Sequence, residues 1–74
     1  MTVTVRAGSW ARRFLPECMD VALPEGTDVS GLLAVLPVPP AEVGLAVMDD
    51  RIVPRGHVLR DGDTLELLPV IIGG

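Results

Sequence analysis

The chain has 74 residues, of which 49% are hydrophobic, and its six basic residues, all arginine, against ten acidic ones give a net charge of −4. This length allows one small domain with little room for an enclosed active-site cleft, and the hydrophobic content excludes a disordered chain. The acidic balance disfavours a nucleic-acid partner, so we expect a single domain over residues 1–74 that works with a larger protein and is not itself an enzyme.

Two segments near the N-terminus alternate between polar and apolar residues, as half-buried strands do. They cover residues 2–6 and residues 17–23, and we expect them to pair antiparallel through the loop at residues 8–16. That loop carries both aromatic residues, Trp10 and Phe14, which are predicted to form an apolar cluster at one end of the core. The apolar positions of the two strands are Val3, Val5, Met19, Val21 and Leu23.

One helix of two to three turns is predicted after the turn at residues 24–26. Thr27 or Asp28 can act as its N-cap by accepting a hydrogen bond from a free backbone N–H group. Prolines from Pro37 onward end it, because proline lacks the N–H group and disfavours a helical predecessor. The apolar residues follow the i, i+3, i+4, i+7 spacing of one helix face: Val29, Leu32, Leu33 and Leu36.

Three further strands are predicted in the second half of the chain, at residues 44–48, 51–53 and 64–70. Asp49-Asp50 and Asp61-Gly62-Asp63 are interpreted as turns, because aspartate bonds to nearby backbone N–H groups and glycine accepts a positive φ. The order of elements predicts an α+β fold, in which a mixed sheet of four to five strands packs on one main helix. One helix covers one face of such a sheet, so the other face is open to solvent.

Several kinds of site are not expected. Cys18 is the single cysteine and His57 the single histidine, so the chain has neither an internal disulfide nor the four ligands of a zinc site. We predict no metal site and no reactive role for Cys18. The apolar runs are shorter than the ~20 residues of a membrane span. Without a signal peptide, the expected location is the reducing cytoplasm, away from membranes.

The C-terminal residues carry a resemblance to a known family. Residues 61–74 read DGDTLELLPVIIGG, and this sequence resembles the C-terminal signature of the ThiS/MoaD sulfur-carrier proteins. Residues 50–55 read DRIVPR and are similar to the N-x-x-I-V-P-R stretch of the ThiS branch. The resemblance covers residues 50–74 and implies the β-grasp, ubiquitin-like fold.

The resemblance also implies a chemistry at the end of the chain. The Gly74 carboxylate would be adenylated by ATP, and a persulfide sulfur would displace AMP to leave a thiocarboxylate that donates sulfur in cofactor biosynthesis. ATP and Mg²⁺ would be bound by the activating enzyme, and no cofactor by this chain. Gly73 and Gly74 suit this chemistry, because residues without Cβ can enter a narrow channel. An inert glycine end is the alternative.

Five residues are predicted to contact partners. Val70, Ile71 and Ile72 form an apolar run that we expect to dock into a partner groove as an extended segment, although it could also pack on the chain's own sheet edge. Leu68 shares a face with Glu66; the matching family position is an exposed apolar residue at the activating-enzyme interface, and the alternative is cover by the aromatic loop. Arg55 either pairs with acidic groups of a partner or is simply solvated.

The implied partners are a ThiF/MoeB-type adenylating enzyme, a sulfur donor such as a cysteine desulfurase, and a synthase, with the free chain a monomer. The stretch ending in Arg55 favours thiazole synthase and thiamine synthesis. ThiS proteins often carry a tryptophan soon after that stretch, whereas Gly56-His57-Val58 follows here, and Leu68-Pro69-Val70 resembles MoaD, the small subunit of molybdopterin synthase. Another alternative is a ubiquitin-like modifier joined through Gly74 to lysines; the lack of lysine in this chain argues against a polymerising one.

Overall fold

The computed structural model describes residues 1–70. It contains five strands, one α-helix and two short 3-10 turns, at Ser9–Ala11 and Pro40–Glu42. The strands and the helix are, in chain order, β1 (Thr2–Ala7), β2 (Cys18–Ala22), α1 (Val29–Val35), β3 (Val43–Met48), β4 (Arg51–Val53) and β5 (Thr64–Pro69). Each predicted element is present, with bounds that differ by at most one residue at either end.

The five strands form one mixed sheet in the order β2-β1-β5-β3-β4. The first and last strands, β1 and β5, pair in parallel, and all other neighbours are antiparallel. A parallel pair needs a long crossover connection, and the segment between β1 and β5 includes α1. The predicted antiparallel pairing of the first two strands and the predicted mixed sheet on one helix are both confirmed.

The core lies between one face of the sheet and α1. Alternate residues of β1 and β5 are buried, while those between them are exposed or half-buried. Asp28 caps the helix, since its carboxylate accepts a hydrogen bond from the Gly31 N–H at 2.8 Å. The helix has seven residues, or about two turns, and Leu36 is buried just beyond its end. The central buried side chains are Val3, Val5, Val29, Leu32, Leu33, Leu65 and Leu67.

The loop between β1 and β2 closes one end of this core. Trp10 and Phe14 are half-buried and pack against the core cluster, and Ala11 and Leu15 of the same loop are buried within it. The predicted apolar cluster is therefore confirmed.

The aspartate pairs act in turns, as predicted. Asp49 and Asp50 have φ values of 51° and 63°, which fit the two-residue type I′ turn of a hairpin between β3 and β4. Gly62 has a φ of 87°. On either side of it, Asp61 accepts a hydrogen bond from the first N–H of β1 at 2.7 Å, and Asp63 accepts one from the N–H three residues earlier at 2.8 Å. These bonds fix the entry into β5 beside β1.

Within residues 1–70, no helix is long and apolar enough to cross a membrane.

Candidate functional site

The predicted site residues fall at and beyond the end of β5. Leu68 lies in β5 and Val70 directly follows it. Ile71, Ile72, Gly73 and Gly74 lie outside the described residues, so the predictions made for them stay predictions. The surroundings of Leu68 and Val70 therefore define the candidate site.

An apolar patch occupies the face of the sheet that α1 does not cover. Register pairs Leu45 with Leu68 and Val47 with Ile52, and directly opposed residues of paired strands share a face. We call Leu45, Val47, Ile52 and Leu68 the open-face patch. Ile52 is 65% exposed and Leu45 42%; Val47 and Leu68 are half-buried but do not belong to the core cluster. Clustered exposed apolar side chains mark interaction surfaces.

The predicted face of Leu68 is thereby confirmed. Val47 pairs with Glu66 as well as with Ile52, so Glu66 lies on the same open face. Leu68 lies directly opposite Leu45 in the pairing of β5 with β3. The binding role predicted for Leu68 stays a prediction.

The chain leaves the sheet at a fixed point. Pro69 pairs with Val43 of β3 but has no N–H group to donate. The next N–H along the chain, that of Val70, donates to the carbonyl of Glu42 at 3.1 Å. Glu42 also pairs with Arg13 at 3.6 Å on the surface. The Val70 backbone is thus held by the segment before β3, while its side chain stays 46% exposed.

A groove runs beside this exit point and continues from the open-face patch. It encloses about 550 Å³, and its walls include Pro40, Ala41, Leu45, Arg55, Pro69 and Val70. A second hollow of about 300 Å³ lies where Trp10 meets Glu42 and Val70. The indole N–H of Trp10 is shielded from solvent and has no hydrogen-bond acceptor among residues 1–70. We call the first of these hollows, of about 550 Å³, the exit groove.

Arg55 lines the exit groove and forms hydrogen bonds with two neighbouring segments. Its guanidinium donates to the carbonyl of Val43, the first residue of β3, at 2.7 Å, and its own carbonyl accepts from the Ser30 N–H at 2.9 Å. One residue thus links the turn after β4 with both β3 and α1. The bond to Val43 uses only one of several guanidinium donors, so the predicted pairing of Arg55 with partner carboxylates stays open to test.

Comparison with known proteins identifies the group to which this fold and this surface belong. The family model described as the ThiS family matches residues 10–74. The chain belongs to the ThiS family. The resemblance carried by residues 50–74 is therefore confirmed, and ThiS-family proteins are small ubiquitin-like carriers or modifiers.

A solved structure supports the fold of this ThiS-family chain. The crystal structure of SAMP1 from Haloferax volcanii is similar to this structure, with a TM-score of 0.76 and 16% sequence identity. The alignment covers 100% of both chains. This similarity confirms the predicted β-grasp fold. Among curated proteins, no significant match was found.

The other residues that the sequence singled out, Cys18 and His57, do not line the exit groove. Cys18 is exposed on β2, opposite Arg6 of β1. His57 is half-buried, and its backbone bonds to Val29 and Pro54. No group of three histidine, cysteine, aspartate or glutamate residues is arranged to hold a metal ion within residues 1–70.

Sequence reasoning missed four residues of the site. Leu45 and Ile52 belong to short strands in which nearly every residue is apolar, so alternation could not assign their faces. Gly44 and Glu42 act through backbone contacts, which leave no pattern in side-chain types: a Cβ on Gly44 would lie 2.6 Å from the Pro69 carbonyl oxygen, and the Glu42 carbonyl accepts from the Val70 N–H. One sequence feature could have indicated Ile52: it is an apolar residue that directly follows the polar residues Asp49, Asp50 and Arg51.

Proposed function

We propose that this ThiS-family chain is a sulfur carrier whose terminal Gly74 becomes a thiocarboxylate and donates sulfur for thiazole formation in thiamine synthesis. The supporting observation is that the exposed open-face patch adjoins the end of β5 on a ThiS-family fold. A partner seated on this patch would therefore contact the point from which the chain continues to Gly74.

The proposed chemistry takes place on partner enzymes. A Gly74 carboxylate oxygen attacks the α-phosphorus of ATP and pyrophosphate leaves, which gives an acyl-adenylate. The terminal sulfur of a persulfide then attacks the acyl carbon and AMP leaves. A second thiol cleaves the resulting acyl disulfide, which releases the thiocarboxylate and leaves a disulfide on the donor. ATP and Mg²⁺ are held by a ThiF/MoeB-type enzyme in this scheme, and this chain provides the docking surface and the acyl group.

Covalent geometry limits where the adenylating site can be. Four residues follow Val70, and an extended chain spans at most about 3.3–3.6 Å per residue, so Gly74 reaches no more than roughly 14 Å from Val70. An enzyme that binds the open-face patch must therefore place the α-phosphate of ATP within that distance of the exit groove.

Arg55 at the exit groove favours a partner with a carboxylate at that end of an apolar surface. Arg55 lies in the exit groove beside Leu45, whereas Glu66 lies on the open face next to Val47. Arginine forms paired hydrogen bonds with carboxylates, whereas the apolar side chains supply area that is removed from water on binding. We assign four of the described residues to this interface: Ile52, Arg55, Leu68 and Val70.

Thiazole synthase is the proposed sulfur acceptor. The stretch from Asp50 to Arg55, which is similar to that of the ThiS branch, contributes Ile52 to the open-face patch and Arg55 to the exit groove. These residues therefore lie where partners would bind. The large subunit of molybdopterin synthase as acceptor, or attachment of Gly74 to target lysines, would be alternative outcomes of the tests.

Pyrophosphate exchange into ATP tests the first step. A ThiF/MoeB-type enzyme is assayed with the wild-type chain and with a chain that lacks Gly74, and circular dichroism compares the folding of both. We expect exchange that requires the wild-type chain and is lost on deletion at unchanged folding. Exchange that survives deletion contradicts the proposal, as does its absence with an enzyme that activates another carrier. Sulfur transfer to thiazole synthase, measured with the loaded chain, then tests the acceptor.

A further inference from the structure

We propose that Gly44 is a positioning residue for this activation: its missing side chain lets β3 lie directly against the end of β5 and so sets the direction in which the chain leaves the sheet. This inference rests on the proposed adenylation of Gly74. Gly44 carries no reactive group, so it would act only through Pro69 and Val70.

The backbones of Gly44 and Pro69 are in direct contact. A Cβ atom built on Gly44 would lie 2.6 Å from the Pro69 carbonyl oxygen, 2.9 Å from its carbonyl carbon and 3.0 Å from the Val70 Cα. Carbon atoms in favourable contact are about 3.5–4.0 Å apart. A side chain at this position would therefore push the two segments apart, and all three of its nearest atoms belong to backbone.

A β-bulge coincides with this contact. Val43 pairs with Pro69 and Leu45 with Leu68, so Gly44 is an extra residue in β3. Bulges bend a strand and change where its neighbour points, and glycine inside a strand commonly marks one or a close backbone approach. Immediately past Pro69, the Val70 N–H bonds to the Glu42 carbonyl at 3.1 Å.

The other side of the bulge is held as well. The Arg55 guanidinium bonds to the Val43 carbonyl at 2.7 Å, so the residue before Gly44 resists displacement away from β5. A group added at Gly44 would instead push on Pro69 and Val70. The hydrogen bond of Val70 is already near the long end of the usual range, and it is the contact that we expect to break.

Alanine at position 44 isolates this effect. The φ of Gly44 is not in the left-handed region, since the glycines with positive φ are Gly26 and Gly62 among residues 1–70. Alanine can therefore adopt the backbone conformation, and the contacts with Pro69 and Val70 oppose it. Without the Val70 bond, one more residue has to be ordered before the reaction can occur. The entropy cost of ordering one residue raises the activation free energy, and this corresponds to roughly a tenfold fall in kcat.

The test combines kinetics with a structural readout. Gly44→Ala is compared with Gly56→Ala, a matched control because no atom lies within 4 Å of a Cβ at Gly56. Pyrophosphate exchange gives kcat and KM, and amide hydrogen exchange followed by NMR reports the Val70 N–H. We expect Gly44→Ala to lower kcat about tenfold with KM changed less than twofold, and to speed exchange at Val70; Gly56→Ala should match the wild type. A purely structural role for Gly44 would lower the unfolding temperature without this split between kcat and KM.

Three results would overturn the inference: an unchanged kcat in folded Gly44→Ala, an equal kcat loss in Gly56→Ala, or a Val70 amide that stays protected. If Gly44→Ala does not fold, Val70→Pro removes the same N–H donor, and an unchanged kcat in that variant refutes the positioning role. If the wild-type chain is not adenylated, the proposed function fails and the role in activation fails with it. The exchange rate of the Val70 amide tests the geometry separately, because its measurement needs no adenylating enzyme.

Discussion

Replacing Ile52 with threonine tests the open-face patch most cleanly. Threonine keeps the β-branched shape that suits a strand, so pairing with Val47 is retained, but it removes one methyl group and exchanges a methylene for a hydroxyl. Because Ile52 is 65% exposed, most of its apolar area is available to a partner and little of it stabilises the free chain.

The expected loss follows from the area that Ile52 offers. Each buried methylene is worth about 0.8 kcal/mol, and the buried hydroxyl adds a desolvation cost. Binding to the adenylating enzyme should therefore weaken by about 1–2 kcal/mol, which is roughly a 5- to 30-fold rise in Kd. The free energy of unfolding should change by less than about 0.5 kcal/mol, as for other surface substitutions.

The chain offers a matched control in Val35. Val35 is 62% exposed but ends α1, on the side of the sheet opposite the patch, so Val35→Thr makes a similar change away from the proposed interface. Calorimetric titration of each variant into the adenylating enzyme gives Kd, and thermal unfolding gives stability. An Ile52→Thr variant that binds as tightly as Val35→Thr would refute the assignment of this face.

Three further predictions concern the fold, and denaturant unfolding measures each. Leu67→Ala should cost about 2–5 kcal/mol, because Leu67 is fully buried and alanine leaves a cavity; a loss below about 1 kcal/mol would contradict its place in the core. Asp28→Ala should cost about 1 kcal/mol through loss of the bond to the Gly31 N–H, and Asp28→Asn should recover most of it. Gly62→Ala should cost about 1–2 kcal/mol from its φ of 87° alone, since the space around it is open.

The sequence was sufficient for the elements whose side chains alternate or repeat. In β1, Val3 and Val5 alternate with polar residues, and in α1 the helical spacing of apolar residues reproduces the buried stripe. Such patterns exist because one face of each element is buried and the other is solvated. In β1 and α1, the order of polar and apolar residues therefore shows which face is buried.

The open-face patch was only partly predictable, because apolar residues occupy both faces of β3. Ala46 is buried and Leu45 is exposed, but residue type alone gives no reason to separate them. The bulge at Gly44 also shifts the register against β5. Pairing between strands decides the faces here, and pairing is a property of the tertiary structure.

The exit point depended on backbone contacts that the sequence does not display. The carbonyl that holds Val70 belongs to Glu42, in a 3-10 turn that begins at Pro40 and follows two nearby prolines. The side chain of Glu42 plays no part in that bond. Arg55 illustrates the same limit: its residue type predicted either a charged contact with a partner or a solvated side chain, whereas its bond to the Val43 carbonyl follows from where the turn after β4 places it.

The most direct test of the central claim is the intact mass of the chain after incubation with a ThiF/MoeB-type enzyme, ATP, Mg²⁺ and a persulfide donor. The sulfur-carrier account predicts that one oxygen is replaced by sulfur, and that a C-terminal fragment locates the change at Gly74 as the terminal residue. Fragmentation is needed because oxidation of one of the three methionines adds nearly the same mass. An unmodified Gly74, with the enzyme active on another carrier, or a Gly74 found only in amide linkage to a target lysine, would contradict it.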